Sequence, residues 1–308
     1  MWLVTGGAGY IGSHIVRTFS DQNLEVVVAD DLSSGDKRRI PNHIKLEIGD
    51  ITSMKFISHL FQSYNFRGVI NLAGLKSVSA SEKFPSRYEE VNIGGVWNLI
   101  NAMTDRQIFI QSSTAAVYGI ENSGFVSEDD ICHPISVYGK TKLEAERVLS
   151  VAKTKGIKTL SLRYFNVLGA ADKSLVDQSG DNLVPLVLKA IRSNQRPNIF
   201  GNQYPTEDGT CIRDYVHVLD VASAHVMAAE ALTTVDLPET LNIGSGHGYS
   251  VRQVIDELLV QTHSSVEPQI SPPRKGDPAK LVAKVDKARE MLGFEAKLAL
   301  PAMISSSL

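Results

Sequence analysis

The segment "WLVTGGAGYIGSH" at residues 2–14 decides the fold. A short apolar run leads into Gly6, Gly9 and Gly12, which recur at three-residue spacing before an apolar helical pattern. Glycines in such a turn let the backbone approach a pyrophosphate closely, and the N-terminus of the following helix faces the anion. The segment therefore predicts the nucleotide-binding turn of an α/β fold, although a strand–helix turn without a ligand remains the alternative.

Two acidic residues end the second apolar run, about twenty residues after the glycines. Asp30 stands where a carboxylate can accept hydrogen bonds from ribose hydroxyls and repel a 2′-phosphate, which favours NAD over NADP. Asp31 strengthens this repulsion, whereas the basic "GDKRR" at residues 35–39 opposes it. A plain surface role for Asp30 is the alternative.

Short apolar runs alternate with helical patterns along the first half of the chain. Runs that are apolar at odd and even positions alike predict strands buried on both faces, as in a doubly wound parallel sheet. We expect a Rossmann NAD-binding domain at 1–165 and a smaller, mainly substrate-binding C-terminal lobe at 166–308, with segments around 211–245 returning to the first domain. The runs are "WLVTG", "LEVVVAD", "IKLEIGD", "RGVINLAG", "RQIFIQSS" and "IKTLSLRYFN", followed much later by "TLNIG".

Composition narrows the functional class. The 308 residues carry a net charge of -3, which gives no electrostatic basis for binding nucleic acid or an anionic membrane. Cys132 and Cys211 lie far apart, and the eight histidines form no ligand spacing, so we expect a reduced, cytoplasmic protein without a metal site. No apolar run approaches the roughly 18 residues of a membrane span.

The stretch "SVYGKTKLEAERVL" at 136–149 places Tyr138 and Lys142 four residues apart, on one face of a predicted helix. A phenol with a pKa of about 10 is a poor base near pH 7, but one cation at about 4 Å can supply the roughly 4 kcal/mol that lowers this pKa by about 3 units. Ser112, Ser113 and Thr114 end a strand candidate upstream, at the edge where ligands bind. A solvated surface pair is the alternative.

These segments, with "AGLKSV", "SSTAAVYG", "LRYFNVLGA", "TEDGTCIRDYVHVLDVASAH" and "PRKGDP", resemble the extended short-chain dehydrogenase/reductase family, and most closely its UDP-glucose 4-epimerases. The resemblance implies an isomerase of galactose metabolism that interconverts UDP-galactose and UDP-glucose at C4 through a transient 4-keto sugar, with NAD bound throughout. It also implies a cytoplasmic homodimer whose interface is formed by helices at about 83–104 and 138–155.

The resemblance also implies the roles of individual residues. Tyr138 would deprotonate the sugar 4-hydroxyl, Lys142 would bind the nicotinamide ribose and lower the pKa of Tyr138, and Thr114 would bind the same sugar oxygen. The implied NAD site comprises Gly6, Gly9, Tyr10, Ile11, Gly12, Asp30, Asp31, Leu32, Ser33, Ser34, Gly35, Asp50, Ile51, Leu72, Ala73, Gly74, Lys76, Asn92, Tyr138, Lys142 and Phe165. The implied UDP-sugar site comprises Thr114, Tyr138, Asn166, Asn182, Leu183, Ile199, Phe200, Arg213, Arg274, Asp277 and Leu281, the last beside the sugar 2-substituent.

Two other functions remain open from the residues. A nucleotide-sugar 4,6-dehydratase shares the Tyr–Lys pair but needs an additional acid and base after the Ser/Thr motif, where this chain has Ala115 and Ala116. A non-catalytic NAD(H)-binding regulator is disfavoured because Thr114, Tyr138 and Lys142 are all present.

Overall fold

The computed structural model describes residues 1–120 and 124–308, and within those ranges the chain forms fourteen β-strands and eleven α-helices. The strands are β1 (Trp2–Thr5), β2 (Val26–Asp30), β3 (Lys45–Ile48), β4 (Gly68–Asn71), β5 (Ile108–Thr114), β6 (Gly124–Val126), β7 (Lys158–Tyr164), β8 (Asn166–Leu168), β9 (Asn198–Phe200), β10 (Ile212–His217), β11 (Thr240–Ile243), β12 (Gly248–Ser250), β13 (Gln269–Ser271) and β14 (Lys280–Ala283). The helices are α1 (Tyr10–Asp21), α2 (Met54–Ser63), α3 (Val78–Lys83), α4 (Pro85–Glu89), α5 (Gly95–Ala102), α6 (Val137–Thr154), α7 (Leu183–Arg192), α8 (Val218–Ala231), α9 (Val251–Gln261), α10 (Asp286–Leu292) and α11 (Leu300–Ser305).

Seven parallel strands form the central sheet, in the order β11-β7-β5-β4-β1-β2-β3. The chain runs outward through β2 and β3 on one side of β1 and then returns to β4 on the other side. This reversal leaves a crevice at the carboxyl end of β1, where ligands bind in doubly wound sheets. The predicted doubly wound α/β fold is confirmed, and the glycine turn lies at this crevice.

Helices cover both faces of the central sheet, which is why its strands, apart from the edge strand β3, are apolar at successive positions. In β1, Trp2 and Val4 belong to the core cluster that contains residues of α1 and α8, whereas Leu3 belongs to the cluster on the opposite face with residues of α2, α5 and α6. Successive side chains of a strand point to opposite faces, so each of these residues is buried under a different helix layer.

The second lobe is built around a smaller sheet. Strands β12, β10, β14 and β6 pair in that order, and β8 pairs with β10, while β13 and β9 form a separate two-stranded sheet. Helices α7, α9 and α11 share an apolar core with Tyr215 of β10. Among the described residues, none of the helices combines the length and hydropathy that crossing a bilayer requires.

The segment at 211–245 contributes to both lobes. Helix α8 packs against α1 in the core of the first domain, and β11 adds to the central sheet beside β7. Strand β10 instead pairs with β12, β14 and β8 of the second lobe. The chain therefore passes between the lobes more than once, and residues of both line the crevice.

Candidate active site

The glycine turn leaves a row of free backbone donors at the crevice. Helix α1 begins at Tyr10, and its N-cap is Gly9, which has no side chain to satisfy the first-turn N–H groups. A Cβ on Gly12 would overlap the Gly6 carbonyl oxygen, and Gly6, at φ +68°, would place a Cβ 2.6 Å from the Ala73 nitrogen. Only glycine allows this close packing, and the free N–H groups fit the charge and position of a pyrophosphate.

The carboxylate of Asp30 is fixed at the end of β2. Its Oδ2 accepts from the Ala8 N–H and its Oδ1 from the Leu32 N–H, each at 2.9 Å, and burial raises its pKa above the usual range. Gly35 passes so close that an added Cβ would lie 2.7 Å from the Asp30 Oδ1. Each carboxylate oxygen keeps a second lone pair, so the group can still accept hydrogen bonds from ribose hydroxyls.

One cavity of about 1370 Å³ joins the two lobes. This volume exceeds the upper range of roughly 1000 Å³ for single-ligand pockets and suits two ligands side by side. Its lining includes these residues of the predicted NAD site: Gly6, Gly9, Tyr10, Ile11, Gly12, Asp30, Asp31, Ser33, Ser34, Asp50, Ile51, Leu72, Ala73, Gly74, Lys76 and Phe165. It also includes the predicted catalytic residues Thr114, Tyr138 and Lys142, and these residues of the predicted UDP-sugar site: Asn166, Asn182, Leu183, Arg213, Arg274, Asp277 and Leu281.

Five other predicted residues lie behind the lining. Leu32 and Gly35 flank the Asp30 carboxylate, and Phe200 lies beneath the Arg274 guanidinium at 4.3 Å, with Ile199 buried next to it in β9.

Asn92 is the fifth, and it lies in a π-helical turn at Glu90–Gly94. Its side-chain oxygen accepts from the Leu75 N–H at 2.8 Å, and its amide nitrogen donates to the Thr141 hydroxyl at 3.0 Å. Asn92 therefore ties the loop after β4 to helix α6.

Tyr138 lies at the start of helix α6, where it meets the end of β5. Ser136 caps the helix by accepting from the Gly139 N–H at 3.0 Å, and the Tyr138 N–H donates to the Ser81 hydroxyl at 3.1 Å. Burial raises the pKa of Tyr138 to about 12, against the smaller opposing effect of the Thr114 hydroxyl, which lowers it. The phenol is therefore protonated when surrounded by protein groups alone.

Lys142 is buried one turn further along the helix. Its ammonium donates to the Ser112 carbonyl oxygen at 2.9 Å. Burial lowers the pKa of Lys142 to about 8, against the opposing effect of the Glu146 carboxylate, which raises it. Burial outweighs any effect of this cation on the Tyr138 pKa, so the protein side chains do not by themselves provide a phenolate near neutral pH, and the lowering of that pKa by Lys142 stays a prediction.

A buried polar network behind Lys142 was missed by the sequence reasoning. Glu146 pairs with Arg163 at 2.8 Å and accepts from the Ser113 hydroxyl; the side chains of the ion pair are 7% and 6% exposed. Arg163 also donates to the Tyr118 phenol at 3.0 Å, and Tyr118 donates to Asn242 of β11 at 2.6 Å. The spacing of Glu146, four residues after Lys142, is the signal that could have revealed it.

The second-lobe wall of the cavity carries two guanidinium groups. Arg213 is paired with Asp277 at 2.7 Å and Arg274 stacks on Phe200, so both are oriented before any ligand binds. Guanidinium forks bind diphosphate oxygens bidentately. Asn182 donates to the Asp177 carboxylate at 2.6 Å, and Leu281, 9% exposed, belongs to an apolar cluster with Phe165.

Comparison with known proteins identifies the family. Residues 2–244 match the NAD dependent epimerase/dehydratase family. The chain belongs to this family. It is 38% identical over 302 residues to the UDP-glucose 4-epimerase of Halalkalibacterium halodurans, covering 96% of this chain and 90% of that one. The predicted resemblance is therefore confirmed, and so is NAD as the cofactor of this NAD-dependent family member.

Solved structures agree with the family assignment. The UDP-glucose-4-epimerase of Stenotrophomonas maltophila, solved with NAD and formylated UDP-arabinopyranose, superposes with a TM-score of 0.93 at 35% identity, over 99% of this chain and 96% of that one. The enzyme of Bifidobacterium longum in complex with NAD+ and UDP gives 0.91 at 30% identity, over 100% and 96%. In this chain the first-turn N–H groups of α1 fit the pyrophosphate of NAD, and the Asp30 carboxylate fits a ribose of NAD.

Proposed function

We propose that this protein is an NAD-dependent epimerase that interconverts UDP-galactose and UDP-glucose at C4. One observation carries the proposal. A single cavity places Tyr138, Thr114 and Lys142 between the glycine turn on one side and the Arg213 and Arg274 guanidinium groups on the other. A cofactor on the first side and a nucleotide diphosphate on the second would leave the sugar beside the phenol.

The residue roles follow from this placement. Tyr138 accepts the proton of the sugar 4-hydroxyl and returns it, and Thr114 forms a hydrogen bond with the same sugar oxygen. When bound, NAD supplies the ring that takes hydride from C4 and gives it back. The Lys142 cation, held in the same buried volume, favours phenolate. The positively charged nicotinamide ring of bound NAD would add to this effect, so that the phenol can lose its proton before it accepts one from the sugar. Arg213 and Arg274 hold the diphosphate, so that the sugar can change face without release.

The remaining predicted site residues keep the roles that the sequence resemblance implies. Residues of the glycine-turn side are proposed to bind NAD, and those of the second lobe are proposed to bind the UDP-sugar, with Leu281 beside the sugar 2-substituent. A homodimer and a cytoplasmic location also remain proposals, supported by the sequence resemblance.

Elimination of water from the sugar is not supported. A 4,6-dehydratase needs side chains that exchange protons at C5 and C6, and the positions after Thr114 hold Ala115, which is buried, and Ala116. Methyl groups cannot exchange protons. The complete Thr114, Tyr138 and Lys142 set in one cavity likewise favours an enzyme over a non-catalytic NAD(H)-binding regulator.

The test is direct. Purified protein is incubated with UDP-galactose and no added NAD, and the UDP-sugars are resolved by chromatography. We expect an equilibrium mixture of UDP-galactose and UDP-glucose, approached from either sugar. A 4-keto-6-deoxy product would indicate a dehydratase, and unchanged UDP-galactose with bound NAD would indicate a non-catalytic binder.

A further inference from the structure

A turn at residues 169–171, hereafter the 169–171 turn, connects strand β8 to the segment that ends at Asn182. Gly169 lines the cavity with φ at +91°, and an added Cβ there would overlap the His217 ring. The segment beyond it contributes Asp177, Ser179 and Asn182 to the second-lobe wall of the cavity. The 169–171 turn is therefore the start of the segment that carries these polar groups.

One face of helix α1 holds the turn from the cofactor side. Tyr10, His14 and Arg17 are spaced at i, i+4 and i+7, so their side chains lie in a row. Tyr10 contacts Gly169, His14 contacts Ala171, and Arg17 contacts Asp172, the residue that follows the turn. The contacts are Tyr10 Oη donating to Gly169 O at 2.6 Å, Ala171 N donating to His14 Nε2 at 3.1 Å, and Arg17 Nη1 paired with Asp172 Oδ2 at 3.1 Å.

Two serines that follow helix α11 hold the turn from the other side. The Gly169 N–H donates to the Ser307 hydroxyl at 3.1 Å, and the Ala170 N–H donates to the Ser306 hydroxyl at 3.2 Å. Both hydroxyls donate in turn to the Met303 carbonyl, at 3.0 Å and 2.7 Å. Ser307 also lines the cavity itself.

Buried His217 orients Ser306. The Leu219 N–H donates to Nδ1 of His217 at 3.1 Å, so the ring proton of the neutral imidazole is on Nε2, which donates to the Ser306 oxygen at 3.0 Å. The Ser306 hydroxyl thus gives one hydrogen bond and receives two, and its orientation is fully determined. All three amides of the turn are satisfied by side chains rather than by a neighbouring strand.

We propose that Ser306 and Ser307, oriented by His217 and opposed by the α1 face, are positioning residues that fix the 169–171 turn and thereby hold the Asn182 segment in place for the nucleotide sugar. This inference rests on the proposed function. It assigns to Ser306 and Ser307 a role in substrate affinity, although neither was among the predicted site residues. The reacting groups at Tyr138 are not affected, so the chemical step keeps its rate once the sugar is bound.

The test compares Ser306→Ala/Ser307→Ala with Ser305→Ala, the same chemical change at an exposed neighbour. We expect amide hydrogen exchange at residues 169–171 to rise about ten-fold or more in the double variant, since two hydrogen bonds of the turn are removed. We expect the KM for UDP-galactose and the Kd for UDP each to rise about five-fold, with kcat within two-fold. Ser305→Ala should match the unmutated protein in every measurement.

Two further variants separate positioning from general instability. Ser307→Ala alone removes one bond and should give a smaller change of the same kind, while Ser307→Thr keeps the hydroxyl and should restore unmutated values. Unchanged exchange at 169–171, or faster exchange with unchanged UDP affinity, would overturn the inference. An unmutated protein that binds UDP but does not convert UDP-galactose would instead contradict the proposed function, and the exchange and UDP measurements would still decide this inference.

Discussion

Glu146→Gln should change the pH dependence of turnover through Lys142. Glu146 lies one helical turn from Lys142, and its carboxylate opposes the burial that lowers the Lys142 pKa to about 8. Two unit charges about 6 Å apart interact by on the order of 3 kcal/mol at an effective dielectric near 20, which is equivalent to about two pH units. Arg163 neutralises part of the carboxylate at 2.8 Å, so we expect about half of this effect.

The direction of the change in the pH profile follows from the charge that Lys142 carries in the active protein. Lys142 acts as a cation, which is present below its pKa and lost above it. A pKa lowered by about one pH unit in the variant leaves the cation almost complete at pH 6 but reduces it about eight-fold relative to the unmutated protein at pH 8.5. The alkaline limb of the kcat profile should therefore move to lower pH. At pH 6, the kcat of the variant relative to that of the unmutated protein should stay near its maximum.

The assay is kcat for UDP-galactose between pH 6 and 9, with Glu144→Gln as the matched control. Glu144 is on the same helix, but its pairing with Arg147 is at the surface, with side chains 47% and 64% exposed. The Glu146 variant should also lose about 2–4 kcal/mol in its free energy of unfolding, because it leaves the buried Arg163 without a full counter-charge. Parallel pH profiles for Glu146→Gln and the unmutated protein would refute the reasoning, whatever the change in stability.

Four other predictions follow from the site. Tyr138→Phe should lower kcat by on the order of hundreds-fold while UDP affinity, measured by calorimetry, is kept, because only the proton acceptor is removed; an equal loss of UDP affinity would indicate a structural role. Leu281→Ser should narrow a preference of about ten-fold for UDP-galactose over UDP-N-acetylglucosamine in kcat/KM, since a branched side chain at the cavity wall crowds an acetamide; equal efficiencies in the unmutated protein would contradict this. Denatured protein should release NAD(H), measured enzymatically, because a cofactor regenerated in each cycle has no need to leave; active preparations without it would count against this. Sedimentation should show a dimer at micromolar concentration, and a monomer there would remove the interface expected at 83–104 and 138–155.

The sequence was most informative where local pattern and burial agree. All six apolar runs and the later "TLNIG" form strands of the central sheet. Residues apolar at successive positions need cover on both faces, which holds for every strand of this sheet except the edge strand β3, where polar and apolar residues alternate and none is fully buried. The glycine turn was predictable for a similar reason, since only glycine tolerates the approach of Gly6 to Ala73 and of Gly12 to Gly6. In each case one local requirement leaves few alternatives.

Long-range partners were not predictable. The pattern of β10 indicates a strand but does not indicate which sheet the strand joins. That choice depends on contacts such as those of the buried Asp214 carboxylate. It accepts hydrogen bonds from the N–H groups of Ser245 at 2.7 Å and Ala283 at 3.1 Å. The spacing of Tyr138 and Lys142 gives a shared helix face but not the Ser112 carbonyl that holds the ammonium. These choices are made by tertiary packing, to which a single sequence gives no direct access.

The late addition of β11 to the central sheet has a consequence during protein synthesis. Strand β7 pairs with β5 on one side and with β11 on the other, and β11 follows β7 only after strands β8 to β10 and helices α7 and α8. A nascent chain that has completed β7 therefore presents an open edge flanked by apolar residues such as Leu160 and Leu162 until Ile243 emerges from the ribosome. Fragments that end between these strands carry that edge permanently, so we expect them to form strand pairs between molecules and to aggregate.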